Sequence, residues 1–289
     1  MDFSFSRFLL GFVLVCSASS AYSQAPSPDP LDRSWTILKA GVTDKNVETR
    51  ATSVRLLGML TGNPQAGPLA VKALSDDRPD VREAATDAIG ALKDKTAADE
   101  LHKIVQTDKD AAVILGAARA LLALNDPMGY SVFYAVLTGE KKSGEGLMDA
   151  QKMLHDPKKL AQFGFEQGVG FVPFGGIGLT VVKAFTKDDT SPVRAAAAKI
   201  LANDPDVKSL AALEQATGDQ SWIVQVAALA AIAQRNDVTA LSTVAMRLDE
   251  PKDAVHCTAA AAYIHLMDVK NSPKPAAPSK RRSSKAKTK

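Results

Sequence analysis

Residues that could do chemistry gather in two places, and neither has the composition of a catalytic site. The first is residues 163–178, where six glycines surround Phe163, Phe165, Phe171 and Phe174, four of only ten phenylalanines in the chain. Aromatic rings flanked by glycine suit apolar contact: they can fill a gap in a core, anchor a partner or ligand, or enter a membrane. They do not suit phosphate binding, because Gly168-x-Gly170 runs into Pro173 where a third glycine is needed and no Gly-Lys-Ser/Thr follows. The second place is the carboxyl end, where Lys280, Arg281, Arg282, Lys285, Lys287 and Lys289 stand without an acid among them. Such a run attracts polyanions without specificity, and it also keeps a chain soluble.

Elsewhere the reactive residue types are scattered. The four histidines lie far apart, and His256 and His265, nine residues apart, fall on opposite faces of any helix that holds both. His-Glu-x-x-His and Gly-x-Ser-x-Gly are absent. The two cysteines are Cys16 and Cys257, and Cys257 sits among small residues like a buried hydrophobe. No catalytic residue, metal ligand or cofactor site is assigned on these grounds.

The elements that position these residues come from an internal repeat. Val81-Arg82-Glu83-Ala84-Ala85 returns as Val193-Arg194-Ala195-Ala196-Ala197 and, with changes, at Thr49, Val113, Val224 and Val255. The starts are separated by 32, 32, 80, 31 and 31 residues, and a weaker copy fits the long step at 147–154. A period near 31 with alanines at close helix contacts predicts an all-α, right-handed α-solenoid of about seven helix pairs over 34–269. Each copy is the second helix of its pair and follows turn residues such as Asp76-Asp77-Arg78-Pro79-Asp80. The first helices are expected at 34–40, 68–74, 97–105, 207–216 and 238–248, where apolar residues recur at three- and four-residue spacing. The Gly/Phe-rich segment then forms an insertion at about 156–176, and a loop beside a repeat is a natural recognition surface.

Both ends differ from this body. Arg7 precedes the apolar run Phe8–Val15, and Ala21-Tyr22-Ser23 places small residues at −3 and −1, so residues 1–23 read as a cleaved export signal followed by a linker at 24–33. The expected location is outside the cytoplasm, in a bacterial periplasm or beyond. The chain is +3, its first 23 residues balance one acid against one base, and eight Lys or Arg lie from Lys270 onward, which leaves 24–269 near −5. Residues 270–289 have no large apolar side chain to offset the entropy of ordering and are expected to be disordered.

The Val-Arg-x-Ala-Ala core with preceding Asp and Pro resembles the HEAT-repeat superfamily, and its short period is most similar to phycobilisome-lyase-like members. That resemblance implies an α-solenoid that binds proteins, with the arginine after each valine (Arg50, Arg82, Arg194) pairing with turn acids along the stack. Ile114, Gln225 and His256 replace it in other copies, which implies a looser ladder there. The expected function is an exported, monomeric, non-catalytic scaffold for a protein partner, whose tail meets an anionic envelope polymer or membrane surface; export disfavours nucleic acid. The competing expectation is a lyase-like enzyme or apolar-ligand-binding protein that uses the insertion. Intact-mass measurement of the native protein is expected to give a chain starting at Gln24, and a cytosolic species still starting at Met1 contradicts the export reading.

Overall fold

A computed structural model describes residues 29–138 and 190–272, and within them every regular element is a helix. The helices are α1 (Pro30–Gly41), α2 (Val47–Leu56), α3 (Ala66–Ala73), α4 (Pro79–Leu92), α5 (Ala98–Thr107), α6 (Ala111–Ala123) and α7 (Pro127–Thr138). After the second described stretch begins come α8 (Ser191–Leu201), α9 (Val207–Ala216), α10 (Trp222–Arg235), α11 (Leu241–Ala245) and α12 (Asp253–Asn271). Six of the expected second helices are present as α2, α4, α6, α8, α10 and α12. The copy at 147–154, the insertion at 156–176, the export signal and the tail from 273 lie outside the described residues.

Turn acids set the helix starts. Asp110 accepts from the N–H groups of Ala112 and Val113 at 2.9 and 3.3 Å, and Asp206 from that of Lys208 at 2.9 Å. These bonds satisfy amides that the first helical turn leaves open. Asp29 does the same for Leu31, with Pro30 in the first turn, so α1 begins at Pro30 and not at residue 34 as the sequence pattern suggested. Linker residues 30–33 are therefore helix. At the other end α12 continues to Asn271, two residues into the stretch expected to be tail. The single helix expected at 238–248 is split: Asp237 accepts from both the N–H and the hydroxyl of Thr239, a 3-10 turn covers Val238–Ala240, and a second covers Met246–Asp249. α4 and α10 stop where Lys93 and Asn236 turn left-handed, with φ of 53° and 57°.

The second helices stack in sequence order, α2 on α4 on α6 and α8 on α10 on α12, while α3, α5, α9 and α11 pack against the second helix of their own pair. Small residues permit the close approach. A Cβ on Gly58 of the turn after α2 would lie 3.2 Å from Ala88 Cα in α4, and one on Gly90 of α4 would lie 3.2 Å from Ala120 Cα in α6. α7 closes on α6 in the same way, since a Cβ on Gly129 would sit 2.6 Å from the Ala118 carbonyl.

The linear order in the sequence is not the order in space. α12, the last helix, packs against α1 and α2, the first pair. The second helices therefore run α8, α10, α12, α2, α4, α6, and one apolar core from Leu38 to Leu266 passes through both halves. α1 is thus an interior element, although it opens the described chain. Leu38→Ala is expected to destabilise the protein by about 2–5 kcal/mol, the range for emptying a closed core site, because Leu38 is fully buried. Urea unfolding measures it, and a loss under about 1 kcal/mol would mean that α1 frays as a terminal cap does.

Candidate interaction surface

Two charge rows run along the stack and fix how its helices present themselves. The first starts from the arginine after each opening valine. Arg50 donates from Nε and Nη2 to Asp76 at 2.8 and 3.0 Å, and its Nη1 donates to the carbonyl of Asp44 in its own turn at 2.7 Å. Arg82 repeats both contacts one repeat on, to Asp108 at 2.7 and 2.9 Å and to the Asp76 carbonyl at 3.0 Å. Arg194 reaches Asp219 at 3.1 and 3.0 Å. Each arginine thus ties its own turn to the next, in the bidentate geometry that guanidinium and carboxylate favour.

Two of the three replaced positions keep the tie to their own turn. Gln225 Nε2 donates to the Asp219 carbonyl at 2.8 Å and His256 Nδ1 lies 3.1 Å from that of Glu250, so each still holds its own turn. Gln225 cannot make the ion pair to the following turn. There Glu250, which stands where Asp76, Asp108 and Asp219 stand in other copies, is paired instead by Arg247 at 2.8 Å, and its neighbour Asp249 receives Arg33 of α1 at 2.9 Å. Ile114 is buried and joins a small apolar cluster with Leu115, Ala118 and Val132. The ladder is thus looser at those positions, as the resemblance implied, and the acid left by Gln225 is paired within its own turn.

The second row lies on the second helices. Arg55 of α2 donates to Asp87 of α4 at 3.2 Å, and Arg119 of α6 pairs with the other oxygen of the same carboxylate. These three residues occupy one position of the repeat, 32 residues apart. Lys199 holds that position in α8, with Ala230 and Ala261 in α10 and α12.

The junction of last and first repeats is polar at its rim and tight at its centre. Thr49 donates to Asp253 at 2.9 Å and Asn63 to Asp268 at 2.7 Å. Between them Ser53 Oγ lies 3.5 Å from Cys257 Sγ, and Gly41 packs where any side chain would strike Ser53. Cys257 is the buried residue its neighbours suggested, and burial pushes its thiol above the ordinary value. It has the environment of a core residue and not of a nucleophile.

The described histidines serve packing and turns. His102 Nε2 lies 3.0 Å from Asp126, and His265 Nε2 lies 2.7 Å from Asn236 Oδ1. Among the described residues no three His, Cys, Asp or Glu side chains converge as metal ligands, and no helix is long and apolar enough to cross a membrane. Phe163, Phe165, Phe171 and Phe174, and the tail residues Lys280, Arg281, Arg282, Lys285, Lys287 and Lys289, lie outside the described residues.

What the repeat pattern did not single out is an exposed apolar face on α8. Val193 and Ile200 are 71% and 73% exposed, although the pattern makes Val193 a core residue. The one sequence signal was Ile200 itself, at a position where four other copies have alanine (Ala88, Ala120, Ala231, Ala262).

The ladder generates a pH-dependent prediction. Burial alone would push the Asp108 carboxyl up, but the Arg82 guanidinium and the N–H of Asp110 outweigh it and hold the carboxyl below the ordinary range. A depressed folded value contributes stability that is complete above the ordinary carboxylate value of about 4 and is lost as pH falls through the folded one. Arg82→Met should cost about 2–3 kcal/mol near neutral pH, the scale of charge-assisted hydrogen bonds, because it strands a carboxylate that is only 5% exposed. Unfolding at pH 7 and pH 3 tests this, and the penalty should shrink at the lower pH; an equal penalty at both would show lost packing alone.

Comparison with known proteins agrees with the architecture. The family profile of HEAT repeats matches residues 36–122 and 179–264. No curated protein matches the chain in sequence. Among solved structures, human deoxyhypusine hydroxylase in complex with glycerol is similar at 16% identity, over 82% of this chain and 97% of that chain, with a TM-score of 0.31. The two matched stretches span more than half of the residues, and with the alanine-packed helix pairs they place the chain in the HEAT-repeat family.

Proposed function

We propose that this protein is an exported, non-catalytic scaffold that holds a protein partner against its stacked helices, with the basic tail attaching it to an anionic envelope polymer or membrane surface. The observation that supports it most is the uninterrupted stack: α12 continues into α2, so the helices of both halves form one extended array. Solenoids of this kind present long surfaces whose curvature follows from small rotations between repeats. The Arg7, apolar run and Ala21-Tyr22-Ser23 succession supports export to a bacterial periplasm. The excess of positive charge from Lys270 onward supports the anionic target.

Affinity capture from an envelope extract, with no cofactor added, is expected to retain a protein. Truncation after Ser272 should leave that capture intact while removing binding to vesicles rich in anionic lipid, with the wild-type vesicle binding falling steeply as salt rises. Turnover of a small molecule that a single polar substitution abolishes would sink the scaffold reading.

A further inference from the structure

Along the spatial order α8, α10, α12, α2, α4, α6, every junction but one carries an arginine on a carboxylate of the neighbouring pair. Arg194 meets Asp219 between α8 and α10. Arg50 meets Asp76 and Arg55 meets Asp87 between α2 and α4, and Arg82 meets Asp108 and Arg119 meets Asp87 between α4 and α6. Where the last pair meets the first, Arg33 of α1 donates to both oxygens of Asp249. Among the described residues no ion pair crosses from the pair α9 and α10 to the pair α11 and α12.

Both charge rows fail there, each through single residues. In the turn row Gln225 stands where other copies have arginine, so it holds the Asp219 carbonyl of its own turn and leaves Glu250 to Arg247. In the helix row Ala230 and Ala261 occupy the position that Arg55, Asp87 and Arg119 hold elsewhere. What crosses the junction instead is a set of single bonds. Thr243 donates to Glu214 at 2.9 Å, Arg247 Nε donates to the Thr217 hydroxyl at 3.3 Å, and His265 Nε2 lies 2.7 Å from Asn236 Oδ1. Lys252 stands over the Trp222 ring, 5.1 Å from its centre. None of these joins opposite charges. Beneath them runs the continuous apolar core, in which Ala259, Ala260, Ala261 and Ala262 of α12 are fully buried.

The two kinds of tie resist motion differently. A bidentate guanidinium–carboxylate pair fixes the orientation of both partners. A bond to one hydroxyl or amide follows its side chain through changes of rotamer, and apolar contact has no preferred direction. Packed helices without directional ties can slide by about 1–2 Å, the shift by which helices move at interfaces. We propose that the α10/α12 junction is a shear joint, at which α8, α9 and α10 move as one body against α11, α12 and the first repeats, so that the array changes its curvature. Such a joint lets one array fit partner surfaces of different shape, and the motion belongs to the chain with or without a partner.

The test uses the full chain with Cys16 and Cys257 replaced by alanine and nitroxide labels on introduced cysteines. Thr36 of α1, Ala211 of α9 and Glu100 of α5 hold one position of the repeat and are all exposed. Thr36→Cys with Ala211→Cys spans two junctions including the joint, and Thr36→Cys with Glu100→Cys spans two tied ones. Double electron–electron resonance should give a distance distribution broader by about 1–2 Å for the first pair. Gln225→Arg should narrow it to the width of the second. An arginine here can hold its own turn and Glu250 together, as Arg50 holds the Asp44 carbonyl and Asp76, and one carboxylate can serve two guanidiniums, as Asp87 does. Adding Glu250→Gln should restore the breadth. Equal widths for the two pairs overturn the proposal, and that comparison needs no variant at the joint, so it decides even where Gln225→Arg fails to fold. A first distribution that stays broad in a Gln225→Arg chain of unchanged melting temperature, or a narrowing that Glu250→Gln leaves in place, overturns it as well.

Discussion

Close approach of the second helices is the constraint on which the other features depend. Alanine and glycine at Ala88, Ala120, Gly58 and Gly90 let neighbouring helices come within backbone distance, and larger side chains would open the stack. Close helices bring their turns into line, and aligned turns put Arg50 opposite Asp76 and Arg82 opposite Asp108. The ion pairs are in that sense consequences of the packing. They then add direction, because a bidentate pair that also holds its own turn carbonyl leaves little freedom to slide.

The junction between the last and first repeats extends the same logic past the chain ends. α12 is the longest described helix, and it is flanked by α10 on one side and by α1 and α2 on the other. Arg33 of α1 adds an ion pair to Asp249 across this junction, joining residues more than two hundred positions apart. A solenoid normally leaves its first and last repeats exposed and needs polar caps there. Here those repeats cover one another, and the outer boundary of the described array moves to α8 at one side and to α6 with α7 at the other.

That displacement bears on function. The residues that a repeat protein must hide at its ends are by default those that an added helix can use, because a stacking surface is already shaped for a helix. Among the described residues Val193 and Ile200 of α8 stand exposed, whereas the equivalent residues of α4, α6, α10 and α12 are buried.

Much of this was legible in the sequence because it is local. The 31–32 residue period, the turn acids and the alanine positions predicted helix pairs, and Val207–Ala216 fell where the apolar spacing put it. Helix ends followed capping chemistry that acts over a few residues, so even the early start of α1 is explained by Asp29 and Pro30 alone. The resemblance built on Val-Arg-x-Ala-Ala gave the family for the same reason: each repeat carries its own signature. The order of repeats in space was not legible. Periodicity states that a copy has two neighbours and is silent on which copies they are, so only tertiary packing could decide that α12 meets α2, that Arg33 serves Asp249, and that Val193, a core valine by its pattern, stands exposed.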